Sequence, residues 1–177
     1  MAETSLKTYT VREKLNKMDV DLIDVEITLD SAANTAGDIL FLPAKIENAV
    51  AVSGGSALLH SAAAIIENAA LSAGDGTDTG DIDVFITSMK TYTDFSAVNA
   101  AASAGDATMT LMQEFCGQFS ITNFIDAGRV AIGSTQNIGM VCKAKSDQKD
   151  LYVWGIAQST NDYDSGKLIL RLGFIKD

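Results

Sequence analysis

The feature that most constrains this chain is alternation of period two. Val25, Ile27 and Leu29 interleave with Asp24, Glu26, Thr28 and Asp30. In an extended strand successive side chains point to opposite faces, so this pattern describes a strand with one apolar and one wet face. The same reading fits Ile82, Val84 and Ile86 against Asp81, Asp83 and Thr87, and Met140, Cys142 and Ala144 against Val141, Lys143 and Lys145. It fits Leu168, Leu170, Leu172 and Phe174 against Ile169, Arg171 and Gly173. Shorter apolar runs, DILFL at 38–42, AVAV at 49–52, GRVAI at 128–132 and LYVWGIA at 151–157, are bounded by Gly, Asn, Asp or Ser and read as further strands. About eight to ten short, closely spaced strands predict an all-β sandwich or barrel.

Turn chemistry separates these runs. Gly54-Gly55, GDGTDTGD at 74–81 and STNDYDSG at 159–166 are loops. The single proline, Pro43, cannot donate to a ladder, so it closes the DILFL strand or marks a sheet edge. Two segments read differently. In SAGDATMTLMQEF at 103–115, Ser103 stands three residues before Asp106 as in a capping box, and Met109, Met112 and Phe115 share a helical face, which predicts one short helix. The stretch 58–74 is ambiguous: Leu58, Leu59, Ala62, Ala63, Ile65, Ile66, Ala69 and Ala70 fit a helical stripe, and alanine favours helix. Residues 1–19 show neither period and carry mixed charge, as an extended arm would. The expected organisation is an N-terminal arm, 1–19, and a single β-sandwich domain, 20–177.

Of the 177 residues 47% are apolar and 20% charged, enough to build a core and far from disordered composition. The formal net charge is −10, with the segment 31–103 holding 2 basic and 8 acidic groups. That balance repels phosphate backbones and anionic headgroups, so neither direct nucleic-acid binding nor membrane binding is expected. No stretch approaches the roughly 18 uninterrupted apolar residues of a membrane span, and the opening MAETSLKTYTVREKLNKMD lacks the apolar core of a secretory signal. Cys116 and Cys142 stand 26 positions apart, outside any metal-ligand spacing. Two buried thiols are the simpler expectation, with a single disulfide left open.

Catalytic signatures are sparse. The one histidine, His60, sits among Leu58, Leu59 and Ala62–Ala64 without a flanking carboxylate, and G-x-S-x-G is absent, so a surface or satisfied histidine is favoured over a catalytic one. Neither phosphate-binding glycine motif is present. Asp75, Asp78 and Asp81 offer hard oxygen ligands three apart, yet lack the EF-hand spacing, and a solvated turn is the simpler reading. Tyr152, Trp154 and Tyr163 present aromatic rings that would suit stacking on sugars, which keeps a carbohydrate- or receptor-binding module as the alternative function; Trp154 lies inside an apolar strand and reads as core. No catalytic, metal or cofactor residues are assigned.

From Val50 the landmarks run AVAVSGGSALLHSAAAII, DIDVFITS, AGDATMTLMQEF, NIGMVCKA, DLYVWGIA and LILRLGFIKD. Over roughly residues 38–177 this order resembles the head-decoration (capsid cement) and minor structural proteins of tailed bacteriophages. The resemblance implies a jelly-roll-type antiparallel β-sandwich without enzyme activity or cofactor. It implies binding on the outside of a capsid between subunits of the major capsid protein, a homo-oligomer with a trimer favoured, and synthesis in the host cytoplasm before incorporation into the virion. It also implies that 58–67 is a strand, which the Gly54-Gly55 turn would join to its predecessor as a hairpin. Tyr9, Val11 and Arg12 in the arm are the expected partner-binding residues.

Overall fold

Half-buried strands need a second apolar surface to cover them, and here two sheets supply it for each other. A computed structural model describes residues 20–30, 33–67, 80–89, 97–101, 114–127, 130–160 and 166–176. Nine strands lie within them: β1 (Val20–Thr28), β2 (Ile39–Ile46), β3 (Ser56–Glu67), β4 (Ile82–Thr87), β5 (Phe115–Ile121), β6 (Ile125–Asp126), β7 (Val130–Lys143), β8 (Leu151–Ala157) and β9 (Lys167–Lys176). One sheet has the order β1-β9-β3-β7-β6, the other β2-β8-β4-β5, and every pairing is antiparallel.

The order has a simple logic. From β1 to β4 the chain changes sheet at every step, and from β5 onward it retraces that path, setting β5 beside β4, β7 beside β3, β8 beside β2 and β9 beside β1. An antiparallel ribbon rolled up in this way is a jelly roll, with the two-residue β6 added at one margin. The core fills the space between the sheets. Val25 and Ile27 of β1, Leu59 and Ile66 of β3, Ile82, Val84 and Ile86 of β4, and Leu168, Leu170, Leu172 and Phe174 of β9 are all buried in one apolar cluster. These are the inward positions of the alternating runs.

Strand β3 explains why its sequence imitates a helix. Its buried residues are Ala57, Leu59, Ala62, Ala64 and Ile66, so the inward phase is odd before His60 and even after it. The register to both neighbours slips between Leu59 and Ser61: against β9 exposed His60 is the extra residue of a β-bulge, whereas against β7 the extra residues, Asn137–Gly139, lie on β7 itself. A period-two pattern broken once yields the spacing of three from Leu59 to Ala62, which mimics a helical stripe. The facing strand β7 is irregular at the same place, with Asn137 and Gly139 at positive φ (58° and 68°).

Other expectations need correction. AVAV at 49–52 is not a strand: Ala49 and Val50 are buried in the connection that carries the chain from β2 in one sheet to β3 in the other. For the same reason Gly54-Gly55 makes no hairpin between those strands; Gly54 (φ 70°) turns there, its amide bonded to the Gln148 carbonyl. Of the two readings of Pro43 the sheet edge holds: it does not close β2 but lies inside it, within the register shift between Phe41 and Ala44, and β2 is an edge strand, where a missing N–H is tolerated. The start of β2 is covered by residues 97–101, through Ile39 N–H to the Ala100 carbonyl and Asn99 N–H to the Ile39 carbonyl. Phe115, assigned to a helical face, opens β5 instead, and Glu114 directly before it is helical. Ser103, Asp106, Met109 and Met112 lie outside the described residues, as do the arm at 1–19 and most of the 74–81 loop.

The bulge yields a clear expectation. Replacing His60 with alanine changes the unfolding free energy by less than about 0.5 kcal/mol, as for exposed sites generally. Deleting it throws Ala62, Ala64 and Ile66 outward, and cooperative unfolding in urea is lost. A deletion variant with the parental midpoint would sink the assignment.

Candidate functional site

With its inner face spent on the core, the five-stranded sheet turns the remaining side chains to solvent, and these are not uniformly polar. The register lines them up across the strands. Val20 stands beside Ile175, Ile175 beside Leu58, and Leu58 beside Val141, an apolar row across four strands. Further along, Ile169 stands beside Ile65, Ile65 beside Ile132, and Ile132 beside Ile125, a second row that reaches the margin. Leu22 is 63% exposed, Val141 66% and Ile125 73%. Isolated exposed apolar residues are ordinary, whereas apolar rows aligned across four strands of one sheet face are of the kind that marks a contact surface.

Between the rows the side chains are mostly polar or small. Leu22, Ser61, Ala62, Ala63, Ser134, Gln136 and Arg171 line a shallow depression of about 160 Å³. Its wall is fixed by a two-pronged ion pair: Arg171 Nε donates to Asp24 Oδ1 at 2.7 Å and a terminal nitrogen to Oδ2 at 2.8 Å, between residues directly opposite on β1 and β9. The hydrogen bonds from Arg171 hold the Asp24 carboxyl below its ordinary range. The pair is too exposed to add much stability, but its fork geometry orients both side chains.

The four-stranded sheet differs. Phe85 and Trp154 stand side by side on β4 and β8 with ring centroids 4.1 Å apart and nearly parallel planes, and Phe115 packs 6.2 Å from Phe85. Trp154 is only 6% exposed, so its face is covered and not offered to a sugar. Tyr152 is buried as well, and Tyr163 lies outside the described residues.

A second cavity, of about 260 Å³, opens where β5 of one sheet meets β7 of the other. It is lined by Ser88, Glu114, Phe115, Cys116, Val141, Lys143, Ala144 and Lys145. Ser88 donates its hydroxyl to Glu114, and Lys145 stands 3.2 Å from the same carboxylate. Chiefly through the Ser88 hydrogen bond, and with help from Lys145, the Glu114 carboxyl is held below its usual range despite partial burial. Cys116 is half-buried and Cys142 fully buried.

The remaining predicted residues are dispersed. His60 sits on the exposed bulge and lines neither cavity; the two cysteines meet each other and not His60. Asp75 and Asp78 fall outside the described residues, as do Tyr9, Val11 and Arg12. No group of three or more potential metal ligands occurs among the described residues. The apolar rows went unassigned in the sequence, although Ile169 and Val141 already stood there in the nominally wet phase of their strands.

No family model and no curated protein matches the chain. Among solved structures it is similar to a chain of Desmodium yellow mottle tymovirus, at 14% identity over 99% of this chain and 88% of that one with a TM-score of 0.30. It is also similar to a chain of Israeli acute paralysis virus, from a full particle heated to 63 degrees, at 10% identity over 98% and 76% with a TM-score of 0.31. The jelly-roll assignment rests on the strand order itself.

Acid tests the electrostatics. In Asp150 burial raises the carboxyl, but the Asn48 amide and Lys45 outweigh it, so Asp24, Glu114 and Asp150 all sit below their ordinary values. A carboxylate depressed in the folded state contributes stability that is complete above its unfolded pKa, about 4, and is lost as pH falls through the lower folded value. The melting temperature is therefore flat from pH 7 to about 5 with respect to these groups and falls below about 4. Asp24→Asn lessens that fall, as scanning calorimetry across the range will show.

Proposed function

We propose that the protein is a structural component of a virus particle, held in the shell by the apolar outer face of its five-stranded sheet. The jelly roll alone does not decide this, because lectins, cupins and capsid proteins share it. The observation that carries the reading is the pair of apolar rows, Val20–Ile175–Leu58–Val141 and Ile169–Ile65–Ile132–Ile125, on a sheet face where Val20, Val141, Ile132 and Ile125 are exposed. The interior is filled with Val, Ile, Leu and Phe side chains, which suits a building block more than a ligand cage.

In its finer form the reading is a head-decoration protein of a tailed bacteriophage that sits outside the head and bridges major capsid subunits. The motif order from Val50 to the terminal LILRLGFIKD supports it. The net charge of −10 suits a position away from the packaged genome. The arm at 1–19, through Tyr9, Val11 and Arg12, adds a second point of attachment to the domain at 20–177, and a trimer multiplies both. Several modest contacts on one oligomer raise the effective concentration of each without any single tight site.

Copy number tests the role most directly. Quantitative mass spectrometry of purified particles should find the chain at hundreds of copies each; a handful would place it at the tail or portal, and none would end the reading. The surface is tested by substitution. Leu22→Asp with Val141→Asp should leave the melting temperature within a few degrees, since both side chains are exposed, yet reduce incorporation into particles at least about tenfold, as burying two carboxylates would. Removing residues 1–19 should leave the domain folded and weaken attachment; undiminished decoration by the truncated chain would dismiss the arm.

A further inference from the structure

Two strands on opposite sheets bring the only two thiols of the chain together. On β5, Phe115 pairs with Thr87 and Gly117 with Ile86, so Cys116 is the extra residue of a bulge, and bulges re-aim a side chain. Residue 117 is glycine, and a Cβ there would stand 2.8 Å from Cε of the Met140 side chain on β7. Cys142 occupies an inward position on β7 opposite Ala57 and is fully buried. The two side chains hydrogen-bond to each other, the Cys116 sulfur also lies 3.9 Å from the Lys143 carbonyl, and the Cys142 sulfur lies 3.9 Å from that of Met140.

We propose that Cys116 and Cys142 are a thiol–disulfide site, in which Cys116 attacks a small soluble disulfide through the cavity and Cys142 resolves the adduct into a bond between the two sheets. The asymmetry of the pair assigns the roles. Cys116 borders the 260 Å³ cavity, so a small disulfide reaches it, whereas Cys142 is sealed behind it. The hydrogen bond from Cys142, opposed by burial, brings the Cys116 thiol down to about 7, while the same bond and burial raise Cys142. Other groups face the site: Glu114, whose negative charge works against the thiolate, Ser88 and Lys145, which are bonded to Glu114, and Lys143 on β7.

The chemistry balances without any group beyond the oxidant. The Cys116 thiolate attacks one sulfur of the disulfide, forming a mixed disulfide and expelling one thiolate. Cys142 then gives its proton to that thiolate and attacks the Cys116 sulfur, expelling the second, which takes the proton originally lost by Cys116. Two protein thiols and one disulfide become one protein disulfide and two small thiols. The product closes a loop of 26 positions and ties β5 to β7 where the two sheets meet at their margins.

The test is oxidation of the folded, full-length chain with oxidised glutathione at pH 7.5, followed by intact mass and peptide mapping. The expected result is loss of two hydrogen masses, a Cys116–Cys142 cross-link in a monomeric chain, and a melting temperature raised by about 5–10 °C that dithiothreitol reverses. Cys142→Ala should stop at the first step and gain one glutathione on Cys116; Cys116→Ala should gain none while folded. The rate of the first step should rise through pH 7 and level off near pH 8. If both thiols of the parent chain remain titratable after oxidation, or the cross-link forms only between chains, the proposal is wrong. It is wrong in its roles if glutathione settles on Cys142.

Discussion

The structure depends on one constraint: each sheet has a single apolar face, and that face must meet the other across a shared core. Everything on β1, β3, β4 and β9 that alternates inward contributes to that meeting, from Val25 to Phe174. Because the strands pair as a rolled ribbon, the neighbours that complete the core are remote in sequence, and Asp24 finds Arg171 across the whole length of the domain. A topology dominated by such pairings closes its loops before it collects their contacts, so folding is slow relative to a helical protein of the same size. It also means that the two ends of the domain are structurally adjacent, and neither β1 nor β9 can be removed without exposing the other.

Phase is what makes this constraint demanding. A shift of one residue in any strand exchanges its inner and outer sets. In β3 the change of phase at His60 is compensated by the slip in both neighbouring ladders, so Ala57 and Leu59 before the bulge and Ala62, Ala64 and Ile66 after it all reach the core. Strands without such a break were readable directly from their residues. β4, β8 and β9 are uninterrupted, and their inward sets or limits match the alternation and the apolar run at 151–157. β3 was recognisable only through a family resemblance, since its own spacing points to a helix. AVAV at 49–52 misled for a different reason: a buried crossing between sheets has the composition of a short strand without its ladder.

The site was less legible than the fold. Lateral rows such as Ile169–Ile65–Ile132–Ile125 draw one residue from each of four strands, and no periodicity within a strand records which residues will be neighbours across it. What the chain does record is the anomaly of isoleucine or valine at a position whose neighbours in the same phase are polar, as at Ile169 beside Arg171. Such exceptions identify candidates, and register then shows which of them line up. The cysteine pair illustrates the same limit, since a separation of 26 positions carries no pairing information until the ribbon is rolled.

The placement of that pair follows from the architecture. A jelly roll holds its sheets together by apolar burial in the middle, but at its margins the covering is thinner, and β5 is an edge strand. The margin where β5 faces β7 is where Glu114, Ser88 and Lys145 form a polar cluster and a cavity remains. A covalent link placed in the central core would restrain contacts already secured by Leu170 or Phe174, whereas one at the margin restrains the part most free to open. The bulge that turns Cys116 inward and the glycine set against the Met140 side chain are both local departures from regular strand geometry. They coincide at the one point where a reactive sulfur reaches across the two sheets.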